Sequence, residues 1–170
     1  MITKPFRVSR VQGASVTNQP CVRPEGMAGG QLDKTYFERY VLDVAIATLE
    51  KGGVASNPET YEFLPPADSW SYPKYPQRTA ILPPDADLVE EIKKFIASNK
   101  AYLKEAGCWL GTWINPYTRH YYLDITTSCD DLDKAREAAQ EISLRAGRKI
   151  VALYNSKRNQ TVYLWDGVYE

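Results

Sequence analysis

Side-chain type alternates along the last third of the chain, and this pattern restricts the fold more than any other feature. Residues 108–115 and 120–127 flank one turn-forming stretch, and residues 149–155 and 160–165 flank another. Successive side chains of a β-strand point to opposite faces of a sheet, so a two-residue period of this length is typical of strands. The sequence therefore predicts two antiparallel hairpins.

The alternation sorts the side chains of these strands into two sets. One set is mainly aliphatic and fits a face that a helix covers: Leu110, Ile114, Tyr121, Leu123, Ile125, Val151, Leu153, Val162 and Leu164. The other set is mainly aromatic and includes Ala152, and its larger members are the predicted binding residues: Trp109, Trp113, His120, Tyr122, Asp124, Tyr154, Tyr163 and Trp165. Two alternatives stay open, because a one-residue shift in register exchanges the sets and the chain's own helices could cover the aromatic one.

Three segments carry a helical period that ends at glycine. The predicted helices cover about residues 33–50, 85–106 and 131–146, and Gly52 and Gly53 together end the first. Glycine commonly follows the last turn of a helix because it adopts the left-handed conformation without strain.

Residues 58–84 contain seven of the eleven prolines in the chain, together with five aromatic residues. Proline removes a backbone donor and restricts φ, so neither a long helix nor a central strand is expected here. We predict a long connection that packs across a surface, with a partner-binding polyproline segment as the alternative.

Together these elements predict an α+β fold with a four-stranded, mainly antiparallel sheet and helices packed on it. The expected order is αββαββ over residues 85–170, and residues 33–170 are predicted to form a single domain that begins with a helix at 33–52. Residues 1–32 hold four glycines, three prolines and three arginines without a sustained apolar period, which is typical of an extended arm.

Composition excludes several classes of function. The 21 basic residues balance the 21 acidic ones, so an overall electrostatic attraction to nucleic acid is not expected. No apolar run approaches the roughly 20 residues that cross a bilayer, and the first residues lack the apolar core of a secretory signal. The three cysteines have no zinc-site spacing and no cofactor motif occurs, so we expect neither metal nor cofactor and assign the chain to a cytoplasm.

The sequence contains no complete catalytic motif, so no catalytic residue is predicted. His120 and Asp124 share a predicted strand face, and a small enzyme that uses this pair is one alternative. No sequence signature of a nucleophile accompanies the pair, so the sequence favours a non-enzymatic protein.

One stretch resembles a known module. Residues 109–116 read WLGTWINP, residues 122–125 read YLDI, and Asp131, Ala135 and Ala139 follow at helical spacing. This pattern is similar to a small module in proteins of actinobacterial phages and mobile elements, and the similarity covers about residues 107–155. Residues 126–129 differ from the module's usual continuation. The resemblance implies an origin in a phage or mobile element, hence a bacterial cytoplasm or a virion, and implies no catalytic residues.

The function predicted from these observations is that of a non-enzymatic accessory protein that binds a protein of the host or the phage. The contact would use the aromatic sheet face, the proline-rich segment or the arm. The alternatives are a virion structural protein with an arm between subunits, the small enzyme above, and a binder of single-stranded nucleic acid through aromatic stacking. The sequence leaves assembly into a homo-oligomer open.

Overall fold

The computed structural model describes residues 30–167, which form three α-helices and eight β-strands. The helices are α1 (Gln31–Lys51), α2 (Leu88–Leu103) and α3 (Leu132–Ala146), and a single 3-10 turn spans Pro76–Arg78. The strands are β1 (Gly53–Asn57), β2 (Glu62–Phe63), β3 (Trp70–Pro73), β4 (Ala80–Leu82), β5 (Trp109–Ile114), β6 (Tyr121–Cys129), β7 (Ala152–Asn155) and β8 (Gln160–Tyr163). The arm predicted at 1–32 lies almost wholly outside the described residues.

All eight strands belong to one curled antiparallel sheet: seven follow the order β2-β1-β5-β6-β3-β7-β8, and β4 pairs with β6 outside that order. The nine-residue strand β6 is its centre, because it pairs with β5 along one side and with β4 and β3, one after the other, along the opposite side. A strand of this length can therefore join segments that are far apart in the chain.

The prediction of a four-stranded sheet with the order αββαββ is wrong. Strands β1 to β4 arise from residues 53–82, which were expected to be a helix end and a proline-rich connection, and β3 separates β6 from β7. Proline did not prevent pairing because Pro73 is the last residue of β3, and the ladder continues at Lys74, whose N–H donates to the carbonyl of Ile125.

The end of α1 also differs from the prediction. Gly52 alone terminates the helix, with a left-handed φ of 80°, while Gly53 already belongs to β1. A Cβ at Gly53 would lie 2.6 Å from the carbonyl oxygen of Thr112, so glycine is required there for the close pairing of β1 with β5.

All three helices pack on the same face of the sheet. Residues that oppose each other in an antiparallel pair share a face, so the pairs Leu110–Ile125 and Tyr72–Thr127 lie on one side. Helices α1 and α2 cover one half of this side with a core that includes Leu110, Leu123 and Ile125. Helix α3 covers the other half, where Ala135 and Ala139 belong to a second core: Trp70, Tyr72, Ile150, Leu153 and Leu164.

Helix α1 is the longest helix and buries only one side. Tyr40, Val41 and Val44 are fully buried, whereas Leu42, Ile46 and Leu49 are exposed. No helix within residues 30–167 is long and apolar enough to cross a membrane.

Candidate binding cleft

The face of the sheet opposite the helices is concave. The antiparallel pairs Trp109–Thr126, Gly111–Asp124 and Trp113–Tyr122 lie on this face. The β8 edge of the sheet curls over this face towards the central strands, since the ring of Tyr163 in β8 contacts the ring of Tyr117 in the β5–β6 turn at 5.6 Å between centroids. The curl encloses a cavity of 580 Å³, which we call the cleft.

Small side chains form the floor of the cleft. Gly53 and Ala55 of β1 and Ala152 of β7 are small and partly exposed, and Gly111 of β5 is buried among them. Gly111 cannot be replaced without movement, because a Cβ at this position would lie 1.9 Å from Oγ1 of Thr126. The floor is therefore shaped by side-chain size as well as by the curl of the sheet.

Aromatic side chains form the walls. Trp109 and Trp113 lie two residues on either side of Gly111 and are both half-buried. Trp113 contacts the buried ring of Tyr122 edge to face, with 5.2 Å between centroids. Tyr154 of β7 faces them from the other end of the sheet, where its hydroxyl donates to Asn159 over 3.0 Å. Rings held by such contacts keep their positions and present flat apolar surfaces to a ligand.

Asp124 is the one acidic residue on the floor of the cleft among the described residues. It opposes Gly111, so its carboxyl lies between the positions of the two indoles. The hydroxyl of Thr79 donates to its Oδ1, and the guanidinium of Arg148 donates to the Thr79 carbonyl at 3.0 Å. Within residues 30–167, Oδ2 receives no hydrogen bond and no lysine or arginine forms a salt bridge with this carboxyl.

The ionised form of Asp124 is unfavourable in this position. Burial raises the pKa of its carboxyl to about 6, although the Thr79 hydrogen bond and the positive charge of Arg148 both act to lower it. The carboxyl is thus mainly ionised at neutral pH, without a paired cation.

The connection at residues 64–69 closes one side of the cleft. It crosses from β2 at the edge of the sheet to β3 near its centre, and the carboxylate of Asp68 attaches it to the β7–β8 turn. Arg158 donates to that carboxylate at 2.7 and 2.9 Å, and Asn155 donates at 2.9 Å. The Arg158 bonds lower the pKa of Asp68 to about 2, so this attachment persists across the physiological range.

The predicted site residues separate into two groups. Trp109, Trp113, Asp124 and Tyr154 line the cleft, and Tyr122 supports Trp113. Tyr163 lies on the same face by its pairing with Ala152 but is not in the cleft lining.

Two predicted residues lie elsewhere. Trp165 follows the end of β8 and packs against the core beneath α3, where its indole N–H donates to the Ile150 carbonyl at 2.8 Å. His120 precedes β6 and lies outside the cleft lining, and its backbone N–H donates to the Thr118 hydroxyl. The structure therefore does not bring His120 and Asp124 together.

Several residues of the cleft were not predicted. A glycine inside a strand often marks a close backbone approach, so Gly111 between two tryptophans carried a signal that could have been read. Thr79 and Arg148 carried none, because they meet Asp124 only through packing between distant parts of the chain.

The lining of the cleft supplies several groups that can bind a ligand. Hydroxyls of Ser71, Thr126 and Ser128 line it, whereas His120, the one histidine of the chain, lies outside the lining. No group of three His, Cys, Asp or Glu residues within 30–167 could hold a metal ion. The cleft offers rings for stacking, hydroxyls for hydrogen bonds and the carboxylates of Glu50 and Asp124.

Comparisons of the chain with protein-family models, with curated proteins and with solved structures found no match.

Proposed function

We propose that this chain is a non-enzymatic binding protein and that its cleft holds a short segment of a partner protein. The observation that carries the proposal is the cavity of 580 Å³ between Trp109, Trp113 and Tyr154 on a sheet face without helices. Tryptophan and tyrosine combine a large contact area with a polar group, which explains their enrichment in protein interfaces.

The size of the cleft supports a short segment as its occupant. Pockets of about 300–1,000 Å³ enclose a ligand of drug size, which corresponds to a few amino-acid side chains. A folded domain could contact only the rim, whereas an extended segment can place a side chain on the floor of small residues.

Among the three surfaces considered from the sequence, the aromatic face is the one we favour. Residues 64–69 of the proline-rich segment already form a wall of the cleft and are attached through Asp68, so they contribute to the site as part of the fold. Residues 1–29 lie outside the described residues, and a virion protein with an arm between subunits stays an alternative that depends on them.

An accessory role in a phage or mobile element is part of the proposal and rests on the sequence resemblance alone. The string LGTW that carries the resemblance lies in β5, the strand that supplies both indoles and Gly111 to the cleft. An enzyme that uses His120 with Asp124 is not supported, because His120 is outside the cleft lining.

The test is capture of a partner from the native host with the purified chain as bait, compared between matched tryptophan variants. Trp109→Ser and Trp113→Ser remove rings from the cleft, whereas Trp165→Ser removes an indole outside it. We expect the two cleft variants to lose the partner and Trp165→Ser to retain it.

A crosslinking measurement makes the capture specific for the site. Lys51 lies at the cleft and is exposed, so an amine-reactive crosslinker should join the bound partner to this residue. A partner that binds both cleft variants normally, and that crosslinks only to other surfaces, would show that the cleft is not the docking site.

A further inference from the structure

We infer that the cleft accepts a basic side chain, arginine foremost, from an extended segment of the partner, with the cation placed against Asp124 between Trp109 and Trp113. This inference rests on the proposed function and specifies the chemistry of the segment that the cleft binds.

The first argument is the unpaired carboxylate. Asp124 has a hydroxyl donor on Oδ1 but no salt bridge with a described residue, and it lies among apolar walls. Asp124 is half-buried, and a half-buried charge without an ion-pair partner is unfavourable, so a ligand that brings the opposite charge recovers part of that free energy on binding. With a neutral ligand, only the Thr79 hydroxyl and the charge of Arg148, which forms no salt bridge with it, would stabilise the Asp124 carboxylate.

The second argument is the pair of indoles. Trp109 and Trp113 bracket the position of Gly111, which Asp124 opposes across the β5–β6 pair. The face of an indole attracts a cation, and the planar guanidinium group can stack on an aromatic ring while it donates hydrogen bonds to a carboxylate. Arginine fits both the carboxylate and the indole faces, whereas lysine fits the charge of the carboxylate alone.

The third argument is the charge next to the cleft. A second groove shares Phe63, Leu64, Pro65 and Trp109 with it, so the two form one continuous surface. Together they are lined by five carboxylates and two lysine ammonium groups.

Some of these carboxylates already have partners. Glu59 pairs with Lys104 at 3.2 Å and Glu105 with Lys74 at 2.8 Å. Glu50, Glu62 and Asp124 have no salt bridge within residues 30–167. The chain as a whole has no net charge, so this surface is more acidic than the average of the molecule. Such a surface complements a segment with more than one basic residue.

The experiment uses a matched pair of probes. N-acetyl-arginine amide and N-acetyl-citrulline amide have nearly the same shape, but citrulline is neutral. The signals of the indole N–H groups in NMR spectra report on Trp109 and Trp113, with Trp70 and Trp165 as internal controls because both lie outside the cleft lining.

We expect the arginine probe to shift the signals of Trp109 and Trp113 in a saturable manner, and the citrulline probe to bind at least about tenfold more weakly. Asp124→Asn should remove the preference for the arginine probe. The control Glu137→Gln makes the same change of charge at an exposed position of α3 and should leave the preference unchanged. The comparison of probes on the unmodified chain does not depend on any variant being folded.

Equal binding of the two probes, or no shift at Trp109 and Trp113 with either, would overturn the inference of a cation site. A single-stranded oligonucleotide that shifts these signals when the arginine probe does not would overturn it in favour of base stacking. The proposed function is judged separately, since capture of the partner can still depend on Trp109 and Trp113. Conversely, arginine binding without such dependence would contradict the proposed function alone.

Discussion

At the scale of single residues, Asp124 and Gly111 explain why the cleft is available for binding. A side chain at Gly111 would collide with Thr126 between the positions of the two indoles, and Asp124 places a carboxyl beside this position. The carboxyl has a raised pKa because it is buried, so the folded chain holds its charge at a cost to stability. Residues that lower stability in this way are common at functional sites.

The dependence of stability on pH should reveal this cost. The pKa of the Asp124 carboxyl is 3.8 in the unfolded chain and about 6 in the folded chain, so between these values the folded form holds the proton more strongly. The free energy of unfolding therefore falls as pH rises from 4 to 6, by up to about 3 kcal/mol from this group.

Asp124→Asn should remove that dependence. The amide keeps an acceptor for the Thr79 hydroxyl but carries no charge, so we expect the variant to be more stable than the original chain at pH 7 by about 1–3 kcal/mol. The difference should vanish below pH 4. Urea denaturation at pH 3.5, 5 and 7 measures it, and equal stabilities of the two proteins at all three values would contradict the assignment.

At the scale of elements, the connection at residues 64–69 turns a curled sheet into a bounded cleft. It covers one side of the cavity and carries few contacts of its own, so its position depends on a small number of polar bonds. They include the bonds of Asp68 to Arg158 and Asn155, and that of the Ala67 N–H to the Ser156 hydroxyl at 3.2 Å. The Leu64 N–H also donates to the Ala55 carbonyl at 2.9 Å.

Asp68→Asn should loosen this connection without unfolding the domain. The ion pair is exposed, so we expect little change in the free energy of unfolding. Amide exchange at Ala67 should accelerate, because the attachment of the connection to the β7–β8 turn is weakened.

The control for this variant lies in the centre of the sheet. Exchange of the amides of β5 and β6 should stay unchanged, since these strands pair with neighbours on both sides. Faster exchange throughout the sheet would mean that Asp68 supports the whole fold and not the connection alone. Because the pKa of Asp68 is about 2, the original chain should show the same loosening only in strong acid.

At the scale of the whole molecule, stability and binding are assigned to opposite faces of one sheet. The helices bury Leu123 and Ile125 completely on one side of β6, while Asp124 faces the cleft from the other side. Because neighbouring residues of one strand serve the two purposes, substitutions at successive positions should have separate effects.

Ile125→Val and Trp113→Ser test this separation. Removal of one methylene from the core at Ile125 should lower the free energy of unfolding by about 0.5–1.5 kcal/mol and leave binding of the arginine probe unchanged. Trp113→Ser should weaken binding of that probe at least about tenfold. Probe titration and urea denaturation of both variants measure the effects. Loss of probe binding in Ile125→Val at a temperature where it is fully folded would contradict the separation.

The alternation along residues 109–125 predicted the faces of β5 and β6 correctly, and the structure places Trp109, Trp113 and Asp124 on one side as expected. The same reasoning failed for Trp165, because β8 ends at Tyr163 and the alternation holds only while the backbone stays extended. The expectation that prolines exclude strands failed for residues 58–84, since β3 is short and carries a proline only at its last position, Pro73.

Local periodicity is a property of neighbouring residues, so the sequence alone determined the three helices, the two C-terminal hairpins and the aromatic character of one sheet face. The insertion of β3 between β6 and β7, the curl that encloses the cleft, and the approach of Thr79 and Arg148 to Asp124 were decided only in the tertiary structure. These features join residues that are dozens of positions apart. No short stretch of sequence encodes contacts over such separations, because they form only when the whole chain packs.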